Sequence, residues 1–66
     1  MLIKINGKAE EIKTGLSLVG LISFKGLCAE KLVIEHNLRI IPKEEWQGVV
    51  LQENDSVEIL SFVGGG

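Results

Sequence analysis

A chain of 66 residues holds one domain, and at that size folding buries only about 60% of the surface the unfolded chain exposes, so a single modest core is expected and an enclosed catalytic cleft is not. Hydrophobic residues make up 45% and charged residues 24%, with both signs dispersed, a balance that excludes disorder along the body of the chain. The formal net charge of −2, with neither an Arg/Lys cluster nor a row of aromatics for stacking, argues against nucleic-acid binding.

Lys4 and Lys8 interrupt the first ten residues, which therefore lack the apolar run of a signal peptide. No stretch approaches the ~20 apolar residues of a membrane-spanning helix, and the expected location is the cytoplasm. Cys28 is the single cysteine, so neither an internal disulfide nor a multi-thiolate metal site is available, and no cofactor is expected. Cys28 lies between Leu27 and Ala29 and is expected to fill the corner between helix and strand as a small hydrophobe, rather than to act as a nucleophile with His36. His36, the only histidine, is expected at the surface or in a turn.

Taken in chain order, Met1, Ile3 and Ile5 alternate with Leu2 and Lys4 and run into Asn6-Gly7, a pair suited to a type I′ hairpin because both residues accept positive φ. A short polar strand over about Glu10 to Lys13 is expected to return antiparallel, with Ile12 inward. The apolar period then changes to that of a helix: Leu18, Leu21 and Ile22 share one face. Ser17 is the natural N-cap and Gly26 the left-handed stop, which places the helix at about Leu18 to Lys25. Gly20, inside it, costs about 1 kcal/mol relative to Ala. After a loop at Cys28 to Lys31, Leu32 to Glu35 reads as a strand, and Asn37-Leu38 turns the chain into a short apolar piece, Arg39 to Ile41. Pro42 is expected to open a helical turn over Lys43 to Trp46, with Trp46 closing one end of the core. Gln52 to Asp55 forms a polar turn into the strongest strand, Val57 to Phe62.

Two strands, a helix and further strands, in a chain too short for repeated βαβ units, give an α+β fold with a mixed sheet of four to five strands and one main helix across one face. The long crossover lets the last strand lie parallel to the first, which is the ubiquitin-like β-grasp arrangement. Residues 1–62 then form the domain, and Val63, Gly64, Gly65 and Gly66 a flexible C-terminal tail. Alternation along the last strand sends Val57 and Ile59 under the helix and leaves Leu60 and Phe62 on the open face, where a partner interface is expected.

A glycine tail has chemical sense. Without side chains it can enter a narrow channel extended, and its terminal carboxylate can be approached by an ATP α-phosphate with no Cβ in the way. A carboxylate needs activation before a nucleophile attacks it. With no P-loop, nucleophile–base pair or metal cluster in the sequence, the activating groups would belong to a partner, and the chain is not itself an enzyme.

Ile3-Lys4-Ile5-Asn6-Gly7, Ser17-Leu18, Asn37, Ile41-Pro42-Lys43-Glu44-Glu45-Trp46, Val57-Glu58-Ile59-Leu60 and the ending Phe62-Val63-Gly64-Gly65-Gly66 together resemble the ThiS family of sulfur carriers of thiamine biosynthesis over essentially the whole chain. The chain departs from the family's usual pattern at Gly20, commonly acidic, and at His36-Asn37, where a small residue commonly precedes the Asn. The resemblance implies that an E1-like adenylating enzyme, ThiF, activates the Gly66 carboxylate, and that sulfur drawn from cysteine through a desulfurase or rhodanese-type persulfide converts it to a thiocarboxylate. Thiazole synthase, ThiG, would then take the sulfur. Rival readings are a carrier serving molybdopterin, cysteine or tRNA thiolation, a ubiquitin-like protein modifier joined through Gly66, and a non-covalent β-grasp binding module.

Overall fold

The computed structural model describes residues 1–62. Strands β1 (Leu2–Ile5) and β2 (Lys8–Glu11) are followed by helix α1 (Leu18–Phe24), a 3₁₀ turn at Ala29–Lys31, strands β3 (Leu32–His36) and β4 (Arg39–Ile40), a second 3₁₀ turn at Lys43–Gly48, and strand β5 (Ser56–Ser61). The five strands form one mixed sheet in the order β2-β1-β5-β3-β4. β5 lies parallel to β1 and antiparallel to β3, so it is the central strand, flanked by β1 and β3, and the helix covers one face. The expected β-grasp architecture is the observed one.

Asn6 and Gly7 both take positive φ, 52° and 84°, and this two-residue loop sets Ile5 directly opposite Lys8. That register places β2 two residues earlier than the sequence suggests. A two-residue turn lets pairing begin at once, so the ladder is complete when Glu11 reaches Leu2. Ile12, just beyond, is still buried, and its N–H donates to the Met1 carbonyl at 2.8 Å.

Ser17 caps α1 as expected, its hydroxyl accepting from the Gly20 N–H at 3.0 Å. The helix closes one residue before the expected end, with Lys25 as C-cap. Gly26 has φ of 69°, and the Gly26 and Leu27 N–H groups donate back to the Ser23 and Ile22 carbonyls, the two bonds of a Schellman motif. Gly20 has a local reason. A Cβ there would come within 2.8 Å of Leu16 Cδ1, so the bare glycine lets Leu16 lie against the helix.

The core joins Ile3 and Ile5 of β1, Leu18, Leu21 and Ile22 of α1, Ile34 of β3 and Val57 of β5 with Ile12, Ile41, Trp46 and Leu51. Trp46 is buried, and its indole N–H donates to the Ile41 carbonyl at 2.8 Å, closing one end of the core as expected. Pro42, however, caps the 3₁₀ turn from outside, with an extended ψ of 144°, instead of occupying its first position. The chain from Val49 to Leu51 passes along the helix entrance, where Leu18 N–H donates to Val49 and Leu51 N–H to Leu16.

Four further expectations are corrected. β3 extends to His36 because pairing with β5 continues to Val57, and β5 correspondingly begins at Ser56 and ends at Ser61. Cys28 is exposed rather than packed in a corner, since the apolar contacts there are made by Ala29 and Leu32. His36 is half-buried at the end of β3 rather than in a turn: its imidazole lies on the helix side of the sheet, 2.7 Å from an Asp55 carboxylate oxygen.

Candidate functional site

Phe62 stands at the root of the segment that the sequence marks as reactive. Its N–H donates to the Lys31 carbonyl at 2.9 Å, which holds the end of the last strand against the start of β3. Val63, Gly64, Gly65 and Gly66, the residues expected to carry the chemistry, lie outside the described residues.

The pairing of β5 with β3 explains which side chains surround this root. Phe62 bonds to Lys31, so Phe62, Leu60 and Glu58 direct their backbone groups toward β3, whereas Val57, Ile59 and Ser61 direct theirs toward β1. Side chains alternate in the same rhythm. Val57 is fully buried and Ile59 packs against the core, while Leu60 and Phe62 are 55% and 48% exposed on the opposite face. Val33 stands across from Leu60 and Ile40 across from Glu35, so this open face carries an apolar strip beside the last strand. Trp46 does not cover it, being inside the core on the other side of the sheet.

A polar cluster fixes the opposite end of β5. Asp55 accepts hydrogen bonds from His36 Nε2 at 2.7 Å, from Asn37 Nδ2 at 3.0 Å and from the Gln52 N–H at 2.8 Å. Asn37 in turn accepts from the Ser56 N–H at 2.8 Å. Burial alone would raise the Asp55 pKa, but the hydrogen bonds from His36, Asn37 and Gln52, with a smaller electrostatic contribution from His36, outweigh it and hold the carboxyl below its ordinary value. The cluster ties the β3–β4 turn to the start of β5. Sequence reasoning did not bring these residues together; the only signal was that Asn37 and Asp55 both stand in turns, where such side chains bond backbone groups.

Asn6 does more than turn the chain. Its side-chain amide accepts from the Ile59 N–H at 2.7 Å and donates to the Ile59 carbonyl at 3.3 Å, and so continues the pairing with β5 after β1 has turned away. Among the described residues, no group of three or more His, Cys, Asp or Glu side chains is placed to hold a metal ion. No described helix is long and apolar enough to cross a membrane.

The family model of ThiS matches residues 3–66. The chain belongs to the ThiS family. This ThiS-family chain is 33% identical over 66 residues to the sulfur carrier protein ThiS of Bacillus subtilis, a match covering 98% of the chain and 100% of that protein. It is also 36% identical over 66 residues to a thiazole synthase of Magnetococcus marinus, where it spans only 20% of the larger protein. Among solved structures, the thiamine biosynthesis protein ThiS of Geobacter metallireducens superimposes with a TM-score of 0.87 at 29% identity, each chain fully covered. The ThiS likeness thus extends through the Asn6-Gly7 hairpin, the helix and the last strand.

Proposed function

We propose that this chain is a sulfur carrier of thiamine biosynthesis, with the Gly66 carboxylate as its working group. The observation that carries the reading is the end-to-end match to the sulfur carrier ThiS of Bacillus subtilis, joined to a family match that runs through Gly66. In this reading residues 1–62 are the recognition domain and 63–66 the reactive tail. A ThiF-type adenylating enzyme transfers AMP from ATP to the Gly66 carboxylate with loss of pyrophosphate. The terminal sulfur of a cysteine-derived persulfide on a desulfurase or rhodanese then attacks the acyl-adenylate and displaces AMP to give an acyl disulfide. A second thiol cleaves its S–S bond, leaving as a disulfide with the carrier of the persulfide and releasing the Gly66 thiocarboxylate. The likeness to part of a thiazole synthase supports a ThiG-type enzyme as the acceptor's partner, since a carrier domain within the synthase's own chain would raise its local concentration. The chain is a cosubstrate that works in the cytoplasm, and catalysis belongs to its partners.

Leu60 and Phe62 supply the recognition in this proposal. They are exposed, apolar and immediately before the tail, so a partner that covers them gains apolar burial while drawing the tail toward its own active site. The decisive experiment is intact-mass analysis of the protein recovered after incubation with ATP, an adenylating enzyme and a cysteine-derived sulfur source. Replacement of one terminal oxygen by sulfur, lost on deletion of Gly66, is the expected result. Isopeptide conjugates to lysines would indicate a protein modifier instead. Undiminished ATP–pyrophosphate exchange by a chain lacking Gly65 and Gly66 would refute the carrier reading.

A further inference from the structure

β5 outruns its neighbour. β1 ends at Ile5, Asn6 turns away with φ of 52°, and its side chain satisfies both backbone groups of Ile59. The next β5 residue whose backbone faces the same edge is Ser61, two positions on. Its ladder partner on β3, Leu32, forms a pair that exchanges no hydrogen bonds, because the neighbouring Phe62 N–H bonds to Lys31. No residue of β1 or β2 reaches alongside Ser61. Among the described residues nothing on this edge pairs with the Ser61 N–H and C=O, and Ser61 lines a groove of about 410 Å³ between the β1–β2 turn and the C-terminal end of α1.

The groove has a definite chemistry. Its apolar lining comes from Ile5, Leu27, Leu32 and Ile59, and its charged residues are Lys8, Lys25, Lys31 and Glu10. Glu10 is already engaged by Lys25 at 3.0 Å. Three lysines against one glutamate give a local charge of 3 − 1 = +2, in a chain whose net charge is −2. An unpaired strand edge selects an extended backbone, an apolar floor selects alternate apolar side chains, and lysines on the rim select carboxylates.

We propose that this groove is a strand-docking site for an extended segment of a partner protein in which apolar and acidic residues alternate. The segment pairs with Ser61 at the free edge of β5, sets its apolar side chains against Leu27 and Ile59, and meets Lys8 and Lys31 with its carboxylates. The site lies on the helix side of the sheet, separate from the Leu60 and Phe62 face, so both can be occupied together. It does not depend on the sulfur chemistry proposed above.

The test is a titration of the full ¹⁵N-labelled chain with the peptide acetyl-Val-Glu-Val-Glu-Val-amide, followed by amide shifts and hydrogen exchange. In the free protein the Ser61 N–H exchanges rapidly while those of Leu60 and Phe62, bonded to β3, are protected. On adding peptide, shifts appear at Asn6, Lys8, Lys31, Ile59 and Ser61, and Ser61 exchange slows. The combined Lys8→Glu and Lys31→Glu variant binds about tenfold more weakly, the loss expected of two exposed ion pairs, with its denaturant midpoint unchanged. The proposal is overturned by shifts confined to Val33, Ile40 and Glu58 on the open face, by no shifts, or by equal binding of the peptide with Lys in place of Glu. Protection of Ser61 in the free chain that rises with protein concentration would also overturn it, since the edge would then be taken by a second copy.

Discussion

Replacing Asp55 by Ala removes the acceptor at the centre of the polar cluster. Three hydrogen bonds disappear at once, from His36 Nε2, Asn37 Nδ2 and the Gln52 N–H. A bond between neutral groups contributes about 1 kcal/mol net and one to a charged group about 1.5–3 kcal/mol. The imidazole is 18% exposed and the Asp55 side chain 10%, so water recovers part of the loss, and the expected destabilisation at neutral pH is about 3 kcal/mol. That is a large share of the ~3–10 kcal/mol typical of a domain this small. With an m-value near 1 kcal/mol/M it moves the urea midpoint by about 3 M. The dependence on pH has a fixed sign. Because the folded Asp55 pKa is depressed, its contribution is fully present above the unfolded carboxyl value of about 3.9 and is lost as pH falls through the still lower folded value. Urea unfolding of both proteins at neutral pH and at stepwise lower pH, followed by Trp46 fluorescence, measures the difference. A loss under 1 kcal/mol at neutral pH, or a gap that does not narrow as pH falls below the unfolded carboxyl value, would show that the carboxylate does not organise this cluster as described.

Three other outcomes follow from different parts of the fold. Changing Leu60 and Phe62 together to Ser should weaken binding to the adenylating partner by about 2 kcal/mol or more while barely moving the unfolding midpoint; calorimetric titration and urea unfolding of the same variant decide between interface and core. Leu38 is held at φ of 72° with its side chain 88% exposed, so Leu38→Gly should stabilise the protein by about 0.5–1 kcal/mol, a left-handed penalty relieved and little packing lost; a lower thermal midpoint would contradict this. Trp46→Phe removes the indole bond to the Ile41 carbonyl and leaves a void, and a loss of about 2–3 kcal/mol is expected in chemical denaturation followed by circular dichroism.

Much of the architecture was readable from local chemistry. Asn6-Gly7 permits the positive φ values of a two-residue hairpin, Ser17 and Gly26 bracket the helix through caps that act within a few residues, and the apolar spacing of Leu18, Leu21 and Ile22 names the buried face. Strict alternation likewise separated Val57 and Ile59 from Leu60 and Phe62 without knowledge of the neighbours. Strand limits were less accessible, because a strand ends where its partner does: β2 is positioned by the register the turn imposes, and β3 reaches His36 because β5 is there to pair with it. The least accessible features join residues far apart in the chain. His36 and Asp55 are 19 positions apart, and Asn6 and Ile59 are 53. A lone His and a turn Asn carry no mark of a distant partner, since each such bond exists only after the parallel crossover has brought β5 between β1 and β3. The sequence by itself thus determined the elements, their inward faces and the glycine ending, because these follow from backbone preferences and periodicity. Tertiary structure alone decided which polar side chains meet around Asp55 and where the edge of β5 is left open at Ser61, because both depend on the relative lengths and placement of strands that local chemistry does not encode.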